Sequence, residues 1–146
     1  MDIFRRHEMF EIEVLDVMKR AKLLDALVFG GGSMLRLCHE LNRYSADLDF
    51  WFVKRISHTA YLNRMRKALE TEYQITDAQI KHFTILVELR SPGYPRKLKL
   101  EIRREKKEWD VQESIAFSKY STKQVILKTH LAPAEVKERA QAVLVE

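Results

Sequence analysis

The spacing of apolar residues along the chain separates helical segments from extended ones. Apolar residues recur every three or four positions in three segments, which predicts helices over residues 3–22, 34–41 and 60–72. Short apolar runs, or runs that alternate with polar residues, predict strands over residues 25–29, 47–53, 83–90 and 97–103. The last two strands enclose a Ser-Pro-Gly-Tyr-Pro turn at 91–95 and are expected to form a hairpin.

The order of these elements indicates the fold class. Helix, strand, helix, strand, helix and hairpin follow one another, which predicts a mixed β-sheet flanked by helices, an α/β (α+β) fold. Residues 105–124 are predicted to be irregular, and residues 125–127 to form a short strand. A short last helix is expected from Ala134, after Pro133, and its apolar stripe is predicted to pack on the domain or on a second copy, as in a homodimer.

Length and composition narrow the class of protein. The chain has 146 residues, 46% of them hydrophobic and 32% charged, which is typical of one globular domain, and residues 1–146 are interpreted as such. A single cysteine, Cys38, excludes a disulfide framework, and the histidines show no spacing typical of metal ligands. Without an apolar run that could span a bilayer or serve as a signal peptide, we expect a soluble, cytoplasmic protein with no membrane partner.

The charge is moderately basic and unevenly distributed. The chain has 26 basic and 21 acidic residues, a formal net charge of +5. Eight of the basic residues lie between Arg90 and Lys107, where Glu101 and Glu105 are the acidic residues. Such a stripe is compatible with RNA as a partner, although charge alone more often marks a solvated surface.

Three of the four glycines form one run between a predicted strand and a predicted helix. Gly31, Gly32 and Ser33 open that helix, where exposed backbone amides favour an anion such as phosphate and where Ser33 can offer its hydroxyl. A glycine run in this position is, by itself, more often only a turn.

Two aspartates follow on the next predicted strand. Because residues two apart on a strand point to the same face, Asp47 and Asp49 are expected side by side. Two carboxylates so placed repel each other unless a cation lies between them, and oxygen ligands suit Mg²⁺ or Mn²⁺. A third acid, Glu101, lies at the centre of the basic face of its strand. Glu88, on the partner strand, is a weaker alternative.

The combined pattern resembles one family. Gly31-Gly32-Ser33-Met34-Leu35, followed by Arg43, Ser45 and Asp47-Leu48-Asp49-Phe50, is similar to the AbiEii/AbiGii-toxin branch of the nucleotidyltransferases, which share the DNA polymerase β-like fold. The strict match covers residues 30–50. The chain departs from the family pattern in having Glu101 where an aspartate is more usual, and in lacking the later Arg-Asp-rich motif.

The resemblance implies a chemistry and a set of roles. Asp47 and Asp49 would bind two Mg²⁺ (or Mn²⁺) ions, with Glu101 contributing to the second, for in-line transfer of NMP from an NTP. The remaining implied nucleotide-binding residues are Gly31, Gly32, Ser33, Arg43 and Ser45. The expected acceptor is the 3′ end of an RNA such as tRNA, as in toxins of toxin–antitoxin or phage-defence systems that have a cognate antitoxin.

Two alternatives remain open at this point. Relatives with the same metal site modify small molecules such as antibiotics, so the acceptor could be a small hydroxyl compound. A degenerate, non-catalytic module that binds nucleic acid through its basic surface is the other alternative. Metal and nucleotide binding separate this module from the two enzymes, and the acceptor separates the enzymes from each other.

Overall fold

The architecture is a seven-stranded sheet with three helices. The computed structural model describes residues 2–40, 46–106 and 110–130. The helices are α1 (Ile3–Arg20), α2 (Gly31–His39) and α3 (His58–Glu70). The strands are β1 (Leu27–Gly30), β2 (Asp47–Phe52), β3 (Gln74–Ile80), β4 (Thr84–Arg90), β5 (Leu98–Arg103), β6 (Val111–Phe117) and β7 (Gln124–His130).

Local sequence accounts for where two of the helices begin. The carboxylate of Asp2 accepts a hydrogen bond from the backbone amide of Arg5 at 2.9 Å, which caps α1. Ser57 caps α3 in the same way, through the amide of Ala60. Helix α2 starts differently, because Gly30 occupies its N-cap position and has no side chain to donate or accept.

The strands form one mixed sheet in the order β3-β4-β5-β2-β1-β7-β6. Strand β2 pairs antiparallel with β1 and parallel with β5. Strand β5 also forms the expected antiparallel hairpin with β4, and β7 lies parallel to β1. The predicted fold class, a mixed sheet flanked by helices, is confirmed.

The two faces of the central strands differ in chemistry. Leu48 pairs with Leu100 and Phe50 with Ile102, and all four are fully buried in a core shared with the three helices. The alternate residues of β2 and β5 point the other way. We call that side the carboxylate face; on these two strands it consists of Asp47, Asp49, Trp51, Lys99, Glu101 and Arg103.

The structure corrects the sequence-based prediction at the sheet edges. Within the segment 105–124, predicted to be irregular, residues 111–117 form β6, and β3 has no counterpart in the prediction. Strand β7 is longer than the predicted segment 125–127. Strands β3 and β6 are the outermost strands of the sheet, where exposed side chains on both faces weaken the alternation from which strands are predicted. The helix expected from Ala134 lies outside the described residues.

Candidate functional site

Three carboxylates lie on the same face of two neighbouring strands. Asp47 and Asp49 are alternate residues of β2 and share the carboxylate face. The parallel pairing of β2 with β5 places Glu101 directly opposite Asp49 and Lys99 opposite Asp47. The structure therefore brings together three acids that the sequence separates widely, which periodicity alone could not establish.

The carboxyl group of Asp49 is electrostatically perturbed. Burial, the largest cause, and the negative charges of Glu101 and Asp47 together raise the pKa of Asp49 to about 6, while Arg103 opposes the shift. A carboxylate that is partly buried beside two others is unfavourable as an anion unless a positive charge offsets the repulsion. The site thus has the electrostatic character of a cation-binding centre.

The glycine turn lies directly against Asp49. Gly30 pairs with Asp49 across the sheet, and Gly31 has a positive φ of 75°. A Cβ atom at Gly31 would lie 2.7 Å from Asp49 Oδ2, closer than real side chains approach. Glycine is therefore required at position 31 both for its backbone conformation and for the close approach to the carboxylate. The turn and the acids form one site.

Ser33 faces the protein interior in this structure. The side chain is fully buried, and its Oγ lies 2.8 Å from Glu11 Oε2 and 2.5 Å from the backbone carbonyl oxygen of Asp47. These contacts join α2 to α1 and to the start of β2. Ser33 does not cap α2. Its predicted contact with the phosphates of an NTP stays a prediction, whereas its contact with the Asp47 backbone places it beneath the acids.

A buried polar cluster supports the site from the side of the helices. Glu11 is fully buried on α1, and its second carboxylate oxygen pairs with the guanidinium of Arg36 on α2. Arg36 Nε lies 3.1 Å from Glu8 Oε1. Burial raises the pKa of Glu11 to about 8, although Arg36 and Ser33 oppose the shift. The cluster fixes how α1 and α2 pack behind the carboxylates.

Sequence reasoning missed two supporting residues on α1. Glu11 and His7 are both buried, and His7 Nε2 lies 2.8 Å from the carbonyl oxygen of Ala46, next to Asp47. Burial lowers the pKa of His7, so its neutral form is favoured. The sequence contains a pattern that could have revealed them. His7 and Glu11 are four residues apart and lie on the same helical face as the apolar Val14 and Met18, which is the face expected to be buried.

The carboxylate of Glu88 has partners away from the aspartates. It pairs with Lys99 on the far side of β5, so it shares the sheet face of Glu101 but lies one strand farther from Asp49. Its Oε1 accepts a hydrogen bond from Thr76 Oγ1 at 2.8 Å and lies 3.4 Å from Lys97 Nζ. The side chain of Glu88 therefore binds Thr76 on β3 and Lys97 just before β5, and Glu101 is the acid nearer to the aspartates.

The basic stripe divides into groups with different partners. Lys97 pairs with Glu88, while Arg104 donates to His58 Nδ1 at 3.0 Å and to the carbonyl of Lys81 at 2.8 Å. Lys99 and Arg103 lie on the carboxylate face, one on each side of Glu101. Lys99 and Arg103 are thus placed where they could contact a substrate bound at the three acids.

The three carboxylates have the right chemistry to bind a hard divalent cation, but their side chains are not arranged to hold one in this structure. Asp47, Asp49 and Glu101 offer only carboxylate oxygens, the ligands preferred by Mg²⁺ and Mn²⁺. Within residues 2–40, 46–106 and 110–130, however, no group of three such side chains is close enough to hold a metal ion as it stands. Binding would require the carboxylates to change rotamer on a backbone that already places them in register. The predicted nucleotide ligands Arg43 and Ser45 lie outside the described residues.

Comparison with protein families identifies the origin of this site. The model of the family described as "Nucleotidyl transferase AbiEii toxin, Type IV TA system" matches residues 13–133. The chain belongs to the AbiEii family. The matched segment contains the glycine turn and all three carboxylates, so the resemblance inferred from the motif is confirmed. No curated protein matches the chain.

Two solved structures share the fold of this AbiEii family member. The crystal structure of JHP933 from Helicobacter pylori matches with a TM-score of 0.53 and 20% identity over 85% of this chain. A Helicobacter pylori protein described provisionally as a nucleotidyltransferase matches with a TM-score of 0.52 and 23% identity over 82% of this chain. At such identities the likeness is one of fold.

The AbiEii chain spans about half the length of these structures, covering 52% and 51% of them. None of the helices in the described part of the chain is long and apolar enough to cross a membrane.

Proposed function

We propose that this AbiEii chain carries the catalytic centre of a metal-dependent nucleotidyltransferase that transfers NMP from an NTP to the 3′ end of an RNA such as tRNA. The observation that carries the proposal is the register of Asp49 opposite Glu101, with Gly31 against the Asp49 carboxylate. Family membership supports the reaction class. The three acids would bind the metal, and the glycine turn would bind the phosphates.

The roles follow from position. Asp47, Asp49 and Glu101 would hold Mg²⁺ or Mn²⁺, which supplies a Lewis acid for the triphosphate and a lowered pKa for the attacking hydroxyl. Gly31 and Gly32, at the start of α2, place backbone amides beside Asp49, where the β- and γ-phosphates would bind. Arg43 and Ser45 are proposed to steady the charged triphosphate, Arg43 by its positive charge and Ser45 by a hydrogen bond from its hydroxyl.

The transfer is an in-line displacement. The acceptor oxygen forms a bond to the α-phosphorus as the bond from that phosphorus to the β-phosphate oxygen breaks, and pyrophosphate leaves. The proton of the acceptor hydroxyl passes to Glu101, the acid farthest from the glycine turn. Asp47 and Asp49 would hold the cation, which would offset the negative charge of the phosphates during the displacement.

RNA is favoured as the acceptor by the charges beside the third acid. Lys99 and Arg103 lie on either side of Glu101 on the same strand face, where they would contact phosphates that lead to a 3′ hydroxyl. A positively charged small acceptor such as an aminoglycoside would be repelled by these two cations.

A transfer assay decides between the acceptors. The protein is incubated with Mg²⁺ and each of four NTPs labelled at the α-phosphate, with total RNA in one series and a panel of aminoglycosides in the other. We expect label in RNA with the unchanged protein and none with Asp49→Asn. Label in the aminoglycosides alone would favour the small-molecule enzyme. Label in neither series would favour the non-catalytic module.

The biological role proposed is that of a toxin with a cognate antitoxin, acting in the cytoplasm where NTPs and tRNA are found. Membership in a type IV toxin–antitoxin family supports it. Induced expression should stop growth, and the Asp49→Asn variant at the same level should not. Continued growth with the active protein would contradict the toxin role without contradicting the chemistry.

A further inference from the structure

An aromatic residue continues the row of acids on the carboxylate face. Trp51 follows Asp47 and Asp49 at the same spacing on β2, and it pairs with Arg103 as Asp49 pairs with Glu101. Two residues along a strand span about 6.6 Å. The backbone of the Trp51–Arg103 pair therefore lies one step beyond the Asp49–Glu101 pair along the strands, while the indole ring reaches back to Gly30.

The position of the Trp51 ring depends on a glycine in the neighbouring strand. A Cβ atom at Gly30 would lie 2.5 Å from the indole Cζ3 and 3.1 Å from the ring of His130. The two rings meet edge to face, with centroids 6.3 Å apart and planes at 88°. Because Gly30 has no side chain, the indole is held close to the sheet while staying half-buried. It is a fixed, partly accessible aromatic surface.

Arg103 completes this surface. Its guanidinium carbon lies 5.6 Å from the centroid of the Trp51 ring, a cation–π contact, and the side chain is exposed. An exposed guanidinium can rotate from the ring when another planar group arrives, and it can itself stack on a base or pair with a phosphate. A planar aromatic group attached to a phosphate fits this pair of side chains.

We propose that Trp51 and Arg103 form a subsite for the 3′-terminal nucleobase of an RNA acceptor, with Trp51 stacking on the base and Arg103 contacting its phosphate. The inference rests on the proposed function for the direction of the reaction. In-line displacement requires the acceptor to enter opposite the leaving pyrophosphate. Glu101, which is proposed to take the proton of the acceptor hydroxyl, lies two residues from Arg103 on the same strand face, so the acceptor is assigned to the Trp51–Arg103 pair.

Fluorescence of Trp51 tests the subsite without any turnover. The chain has two tryptophans, so the Trp109→Phe variant leaves Trp51 as the reporter. A five-nucleotide RNA with a purine at its 3′ end is added with Mg²⁺ and no NTP. We expect quenching, with about tenfold weaker binding for the same RNA carrying an abasic 3′ residue, because one stacked base contributes about that much. Arg103→Gln should weaken binding and its salt dependence together.

Kinetics with the transfer assay provide the second measurement. Trp51→Leu keeps an apolar side chain but removes the stacking ring, so it should raise KM for RNA about tenfold and leave KM for NTP unchanged. Phe83→Leu, which removes an aromatic ring that is 74% exposed, is the matched control and should change neither.

Specific outcomes would overturn the subsite. Equal quenching by the intact and the abasic RNA, or no quenching by either, would show that no base stacks on Trp51. Quenching by NTP alone, equal to that by RNA, would assign the ring to the nucleotide substrate and overturn the acceptor assignment. Failure of the subsite and failure of the proposed function give different results, because base-dependent quenching without any transfer would support the subsite and contradict the enzyme.

Discussion

Glu11 and Ser33 form a buried hydrogen bond, 2.8 Å long, that joins α1 to α2 behind the carboxylates. Ser33 has one hydroxyl hydrogen, yet its oxygen lies within hydrogen-bond distance of two acceptors, Glu11 and the carbonyl of Asp47. Both contacts are satisfied together when Glu11 carries a proton and donates it to Ser33. Burial is the main cause that raises the pKa of Glu11, to about 8, and it favours this protonated form.

Stability should therefore depend on the ionisation of Glu11. Its folded pKa of about 8 lies above the ordinary value of 4.5, so the folded chain retains a proton that the unfolded chain releases. The contribution of this proton to the free energy of unfolding should be present in full below pH 4.5. It should be lost as the pH rises towards 8. Glu11→Gln keeps a donor for Ser33 and an acceptor for Arg36 without the charge. Urea unfolding across this range should show a flatter profile and higher stability at pH 9 than in the unchanged protein.

The exposed Glu70→Gln variant is the control for Glu11, and it should keep the pH profile of the unchanged protein. An identical profile in the Glu11→Gln variant would show that Glu11 is ionised throughout and that the proton-sharing arrangement is wrong.

Removing the charge of Asp49 should stabilise the protein while it abolishes transfer. Burial and the charges of Glu101 and Asp47 raise the pKa of Asp49 to about 6, so near pH 7.5 the carboxylate is ionised at a cost to stability. Asp49→Asn should gain about 1 kcal/mol in EDTA, a value reduced for solvent screening. Mg²⁺ should raise the Tm of the unchanged protein and leave that of the variant constant. A variant that loses stability, or that still transfers NMP, would contradict the metal site.

Glu101 should be the third acid, and Glu88 should not. Glu101→Gln keeps the size of the side chain but removes its charge, so transfer should fall at least a hundredfold, the usual effect of losing a general base. Glu101→Asp should be only partly impaired. Glu88→Gln is the matched control on the next strand, and it should retain full activity because Glu88 pairs with Thr76 and Lys97. The opposite pattern in the two glutamine variants would exchange their roles.

A single methyl group at the glycine turn should disturb Asp49. Gly31→Ala places a Cβ atom 2.7 Å from Asp49 Oδ2 in a residue with positive φ, which costs about 1–2 kcal/mol for the backbone conformation alone. We expect lower stability and a loss of transfer. Gly93→Ala is the control, because its nearest neighbour would be 3.8 Å away, in ordinary contact. Equal effects of the two substitutions would show that the closeness of Gly31 to Asp49 has no consequence.

The central elements could be predicted from the sequence because each has a distinct period. The alternation of Asp47 to Phe52 fixed both the strand and the face that carries the aspartates. The outer strands β3 and β6 could not be predicted, because a strand with one neighbour keeps polar residues on both faces.

Two features of the site depend on tertiary packing, so the spacing of apolar and polar residues could not predict them. The hairpin of β4 and β5 was predicted, but no local pattern determines that β5 also pairs with β2 in the register that places Glu101 at Asp49. The inward orientation of Ser33 likewise depends on α1, which presents Glu11 to it. The glycine turn suggested that Ser33 contacts phosphate. In the structure its hydroxyl contacts Glu11, which belongs to another helix.

The parallel pairing of β2 with β5 has a consequence for the synthesis of the protein. Parallel neighbours cannot be joined by a tight turn, so β2 must wait for residues 53–97 to be made before its partner leaves the ribosome. Until then Asp47 and Asp49 have no third acid beside them. The distance in sequence between Asp49 and Glu101 therefore delays assembly of the three acids until five of the seven strands that the structure describes have been translated.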